Sequence, residues 1–321
     1  MPDVKINPGA ISKYIMLIVV IIVALANVSF ANQNERPNPD LSPTTILEKS
    51  GVKYAYPHWS ADGSRILYQS DETGNWQIYT AKRDGSDTRQ ITDGEFNNYF
   101  ADWSPDNSQI VFVSDRTGNE EIFVMNVDGT DLLNLSNSPS RDIHPYWSPD
   151  GTNIVFNSSR SDPKDWSLDV FQIKPDGSGI VQLTRGKDVE TCASTAPGGE
   201  KLVFLKMDFE KKTDDIVICN ADGSDQVKIT DDGDRDGWPA WSPDGSQIVF
   251  SSMYYGSFCL HVIDVTGKNR LKLTSADAGQ HDCRAQFSSD GKELLFNRDI
   301  DDSTIAIMVL PIVEVSSKSE N

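Results

Sequence analysis

A seven-residue pattern returns six times along this chain, and its spacing constrains the fold more than any single residue does. The copies begin Pro57-His58-Trp59-Ser60-Ala61-Asp62-Gly63 and recur around Trp103, Trp147, Thr195, Trp241 and Phe287. The fourth copy, Ala193-Ser194-Thr195-Ala196-Pro197-Gly198-Gly199, is degenerate. The anchor position falls at 59, 103, 147, 195, 241 and 287, so the steps are 44, 44, 48, 46 and 46 residues. A period of about 40–50 residues with strand-like content predicts one four-stranded blade per repeat. The expected fold is therefore all-β: a six-bladed β-propeller of four-stranded antiparallel blades.

Each repeat supports that reading locally. The anchor Trp ends a short apolar strand, and its ring is suited to packing between blades. Ser-Pro-Asp-Gly then turns the chain: Pro presets φ, Asp bonds the local backbone, and Gly takes a conformation other residues resist. Second strands follow as β-branched and aromatic runs, from Ile66-Leu67-Tyr68 to Leu294-Leu295-Phe296. Asp84-Gly85, Asp128-Gly129, Asp176-Gly177 and Asp222-Gly223 turn the third strand into a fourth, with Thr266-Gly267 as a variant. Fourth strands are expected near Ile91-Thr92, Leu135-Ser136, Leu183-Thr184, Ile229-Thr230 and Leu273-Thr274. The sixth unit has no such turn after Ile305–Val309. Its outer strand is expected from Ile46-Leu47-Glu48, which would close the ring and remove an exposed edge. The alternative donor is Val313-Glu314-Val315.

The N-terminus reads as an export signal. Residues 15–25 are apolar throughout, Lys5 and Lys13 precede them, and Ser29-Phe30-Ala31 offers small residues where a signal peptidase cuts. Residues 1–31 are expected to be a cleaved signal peptide, with an uncleaved anchor as the alternative. Residues 32–45 read as a flexible leader, 46–315 as the propeller and 316–321 as a disordered tail. The net charge of −19 argues against nucleic acid and anionic lipid surfaces, which need basic patches. It suits a soluble, monomeric exported protein. Cys192, Cys219, Cys259 and Cys283 form no CxxC pair, so zinc and redox motifs are not expected. Export would allow disulfides, but buried free thiols are the expectation.

Pro-x-Trp-Ser-Pro-Asp-Gly, the aliphatic-aromatic strand, Ser114-Asp115-Arg116-Thr117-Gly118-Asn119, Asp-Gly and Leu-Thr together resemble the TolB-type propeller repeat. The resemblance covers about residues 46–310. It implies a periplasmic, non-catalytic propeller that binds a protein or peptide of the cell envelope. That family carries an α/β domain before its propeller, and the short stretch between signal and first repeat leaves no room for one. Propellers similar to these also include oligogalacturonate lyases, with manganese held by several His and a Gln. His58, His144 and His281 with Gln286 make that the second reading. No Gly-x-Ser-x-Gly elbow of a peptidase occurs.

Ligands of propellers usually sit where the inner strands begin, over the central channel. Five residues before each anchor stand Tyr54, Asn98, Asp142, Glu190, Asp236 and Asp282; three before stand Tyr56, Phe100, His144, Cys192, Trp238 and Arg284. Strand alternation puts both rows on one side. The expected site is thus a channel mouth of Asn98, Asp142, His144, Glu190, Asp236, Trp238, Asp282 and Arg284. Asp142, Asp236 and Asp282 are candidate ligands of a calcium ion, a cation that takes oxygen donors. Alternatively these acids pair with Lys53, Arg141 and Arg235 beside them. Loops on the same face add Arg116, Arg160, Trp166, Tyr254 and Tyr255 as interface anchors.

Overall fold

The structure, a computed structural model, describes residues 42–161, 167–254 and 256–312, without the side chain of Tyr254. The expected signal peptide, Trp166, Tyr255 and Val313–Val315 lie outside the described residues. The described chain forms six four-stranded antiparallel sheets, arranged as the blades of a propeller. The inner strands are Tyr54–Trp59, Asn98–Trp103, Asp142–Trp147, Val189–Thr195, Asp236–Trp241 and His281–Phe287. Blades 1 to 5 run in chain order from inner to outer strand. Blade 6 takes its outer strand from the other end of the chain: Thr44–Leu47 pairs with Thr304–Pro311, placing Thr44 opposite Val309 and Leu47 opposite Ile307. Closure therefore comes from the N-terminal side.

Burial follows the repeat. The second strands supply the most enclosed side chains, with Ile66, Phe112, Phe156, Phe204, Phe250 and Phe296 fully buried. Trp59, Trp103 and Trp147 are buried, as an anchor between blades requires. After the anchor in blades 1, 2, 3, 5 and 6 the Ser hydroxyl donates to the turn Asp, for instance Ser104 Oγ to Asp106 Oδ1 at 2.6 Å. The same Asp accepts the Ser108 amide, so the turn holds its own polar groups. Blade 4, lacking both Ser and Asp, keeps the turn with backbone bonds alone, Ala196 N to Lys201 O at 2.8 Å and Gly199 N to Ala196 O at 2.8 Å. Neighbouring blades come close at several of the Asp-Gly turns. A Cβ on Gly223, at φ +83°, would lie 1.8 Å from the Leu183 carbonyl oxygen of the preceding blade.

The outer strands sit two residues earlier than expected, at Arg89–Gln90, Leu133–Asn134, Val181–Gln182, Val227–Lys228 and Leu271–Lys272. The reason lies in the Thr or Ser that follows. Thr92 Oγ1 accepts the Ile78 amide at 2.9 Å, and Ser136, Thr184, Thr230 and Thr274 do the same for Ile122, Val170, Ile216 and Leu260. A side-chain hydroxyl thus satisfies the third strand where the backbone ladder stops.

All six inner strands share one irregularity. Register shifts midway along each, between Ala55 and His58 in blade 1 and at the equivalent step in the other five. Inside the shift the residue three before the anchor adopts a left-handed backbone: Tyr56 (φ 51°), Phe100 (53°), His144 (50°), Cys192 (54°), Trp238 (50°) and Arg284 (60°). Such a conformation costs a non-glycine residue about 1–2 kcal/mol. The bulge re-aims the strand, as bulges do at functional rims.

Candidate functional site: the axial ring

The bulge separates the two rows that simple alternation put together. The row five before the anchor turns into the blade walls, where its acids meet bases of their own blades. Asp142 Oδ2 accepts from Arg160 Nη2 at 2.7 Å, and Glu190 Oε1 from Lys206 Nζ at 2.8 Å. Both oxygens of Asp282 accept from Arg298, at 2.6 Å (Nε) and 2.8 Å (Nη2). Asn98 Oδ1 accepts from Arg116 Nη2 at 2.9 Å. Asp236 lies 3.6 Å from Arg270 Nη2, while Arg270 also pairs with Asp232. Several of these guanidinium groups also cover second-strand rings, Arg160 over Phe156 at 5.3 Å and Arg270 over Phe250 at 5.1 Å. Arg141 and Arg235, expected as partners of the row, instead pair with Glu120 and Asp214.

A calcium ion would need about six to eight oxygens in one place. Asp142, Asp236 and Asp282 each face a separate arginine, and among the described residues no three His, Cys, Asp or Glu side chains gather. The donors at hand do not fit that ion. Burial raises the Asp142 carboxyl and pushes Asp236 up to about 7. A folded-state value above the unfolded one gives stability that is complete below about pH 4 and lost as pH climbs through 7. Asp236→Asn is therefore expected to flatten the fall in melting temperature between pH 4 and 7 and to raise it at pH 8. Parallel thermal melts of the two proteins across that range check this.

The row three before the anchor does converge. The ring of Phe100 lies 4.4 Å from that of Tyr56 and 4.2 Å from that of His144. Arg284 Cζ sits over Tyr56 at 4.1 Å and over Trp238 at 4.7 Å. Cys192 Sγ is 3.9 Å from His144 Nδ1. All six blades thus contribute one side chain to a ring around the axis. Burial holds His144 down at about 3, Tyr56 up at about 12 and the Cys192 thiol up at about 11. At neutral pH the ring therefore carries one charge, that of Arg284.

Two residues further along the inner strands, about 6 Å deeper, a second layer is more polar. His58 Nδ1 lies 3.1 Å from Asp102 Oδ1 and 2.9 Å from Gln286 Nε2, with the Tyr146 ring 5.6 Å away. The sequence offered His58 and Gln286 only as candidate metal ligands, and the roles of Asp102 and Tyr146 in this layer were not foreseen. The three histidines that suggested a manganese site are not brought together: His144 belongs to the upper ring, His58 to the lower layer, and His281 accepts the Phe258 amide at 3.1 Å.

Chain direction places the second-to-third-strand loops on the face where the inner strands begin. Arg116 and Arg160 lie there but fold back onto Asn98 and Asp142. Among the described residues, the exposed large aromatics on that face are Phe209, 59% exposed, and Phe96, 46% exposed. All four cysteines are free and buried. Among the described residues no helix is long and apolar enough to cross a membrane.

Six blades around an aromatic axial ring define a β-propeller. Residues 96–283, more than half of the chain, match the family described as the TolB beta propeller domain, and the chain belongs to that family. Among solved structures it is similar to TolB from Acinetobacter baumannii, 21% identical with a TM-score of 0.63 over 74% of this chain and 58% of that one. It spans less than two thirds of that protein. A putative TolB from Agrobacterium tumefaciens is 20% identical, TM-score 0.61, over 81% of this chain and 91% of that one. An oligogalacturonate lyase from Vibrio parahaemolyticus is 14% identical, TM-score 0.56, over 88% and 96%. At such identities these structures share the fold alone. No functionally curated protein matches in sequence.

Proposed function

We propose that this chain is an exported, non-catalytic TolB-like propeller that binds a protein or peptide of the cell envelope at the channel mouth. The observation that carries this is the axial ring: six bulged strands direct Tyr56, Phe100, His144, Cys192, Trp238 and Arg284 to one place, with aromatics and arginine dominating. Such residues are the usual anchors of protein interfaces. Phe96 and Phe209 extend the apolar surface onto the face around it. The charged segment before the apolar run at residues 15–25 supports export to the periplasm.

A photo-crosslinking amino acid placed at position 209, on the mouth face, is expected to capture a discrete envelope protein in living cells. The same group at Val227, equally exposed but on an outer strand, is expected to capture none. Equal adducts from both positions, or none from position 209, would overturn the proposal.

A further inference from the structure

We infer that the axial ring receives a carboxylate carried by the partner, with Arg284 as its ion-pairing group and Tyr56 and Trp238 as the walls that hold the guanidinium in place. This rests on the peptide-binding reading above and specifies its chemistry. Arg284 stands between two aromatic faces at 4.1 and 4.7 Å. Its Nε is buried without a hydrogen-bond partner, and no ion pair joins it to an acid of the described residues. The contrast with the blade walls is direct: Arg160, Arg270 and Arg298 are each committed to an acid of their own blade. Asp299 is close enough to feel the Arg284 charge but forms no direct ion pair with it, and its Oδ1 accepts instead from Asn297 Nδ2 at 3.1 Å. The other ring members are uncharged at neutral pH, so the ring offers the guanidinium the Tyr56 hydroxyl and two aromatic faces but no counter-charge.

A buried charge without a counter-charge is costly, and aromatic faces compensate it only in part. An incoming carboxylate could accept two parallel bonds from the guanidinium fork. Phe100 and Trp238, only partly buried, leave apolar surface beside it for the methylenes of an acidic side chain. The wall acids do not oppose this, because Asp142, Glu190 and Asp282 are already matched by Arg160, Lys206 and Arg298. An acidic protein thus presents, within an aromatic ring, one positive charge that has no direct ion-pair partner.

The test uses the full exported chain with nitrogen-labelled tryptophan. Three probes are titrated while the Trp238 indole resonance is followed: a capped tetrapeptide with a central Phe-Glu, its Phe-Gln counterpart, and a capped tripeptide with a free C-terminal carboxylate. We expect saturable shifts with the Glu peptide, at least tenfold weaker binding of the Gln peptide, and weakening with salt. The third probe shows whether a chain terminus serves as well as a side chain. Arg284→Met is expected to abolish the preference for Glu over Gln. Should that variant fold poorly, the wild-type comparison of Glu with Gln still decides. Equal binding of the two peptides would sink the carboxylate and leave mouth binding standing. No shift of Trp238 with any probe, together with no crosslink from position 209, would sink both.

Discussion

Removing residues 1–48 is expected to lower the melting temperature by about 10 °C relative to a chain beginning at residue 32, and to make the protein self-associate. The deletion takes away the strand Thr44–Leu47, which completes blade 6. Its three paired positions, Thr44 with Val309, Thr45 with Met308 and Leu47 with Ile307, are lost. At about 1 kcal/mol net per backbone hydrogen bond, and a similar amount each for the part-buried Ile46 and Leu47, the loss is about 4–5 kcal/mol. For a domain of this size each kcal/mol moves the midpoint by about 2–4 °C. The last strand, Thr304–Pro311, would then present an open edge with Met308, Val309 and Leu310 exposed beside it. Blade 1 is affected too, because its Asp-Gly turn rests on the same strand: a Cβ at Gly85 would lie 2.5 Å from the Ile46 carbonyl oxygen. A synthetic peptide of residues 42–48 supplied in trans should restore part of the stability. Melting curves and size-exclusion profiles indistinguishable between the two chains would show that this strand does not close the ring.

The architecture was legible because each level of the repeat agreed with the next: Trp anchors, Pro-Asp-Gly turns and aliphatic-aromatic second strands all recur in one order. Closure was legible for the same reason, since the blade lacking an Asp-Gly turn matched an orphan strand upstream. The aim of individual side chains was not. A left-handed backbone at Tyr56, Phe100, His144, Cys192, Trp238 and Arg284 has no local signature, because such residue types seldom adopt it. Only the demand of six strands converging on an axis imposes it. With the bulge unseen, alternation placed acids and aromatics on one side, and the acids looked like the site. A signal against that was present: a basic residue follows Asp142 by 18 positions, and Glu190 and Asp282 by 16. Across a two-strand hairpin that spacing brings acid and base face to face. The outer strands were misplaced by two residues for a related reason, because Thr92 and its equivalents look strand-forming but act as hydroxyl caps.

The division of labour between the two rows makes the second large prediction. Asp282 is fully buried and held at both oxygens by Arg298, so Arg298→Met would strand a carboxylate away from water. Breaking a buried pair from one side costs about 3–5 kcal/mol. Asp282→Asn should cost less, about 1–2 kcal/mol, because the Arg298 side chain retains 17% exposure and can turn toward solvent. Combining the two changes should recover most of the loss, since an amide beside a thioether leaves no unmatched charge. Urea titrations of the four proteins measure the coupling directly, provided each unfolds in one transition. None of these changes touches the axial ring, so in the folded proteins the Glu-peptide shifts at Trp238 should persist at wild-type affinity. If Arg298→Met instead left stability within about 1 kcal/mol while abolishing peptide binding, the acids would be the recognition row after all, and the ring around Arg284 a structural plug.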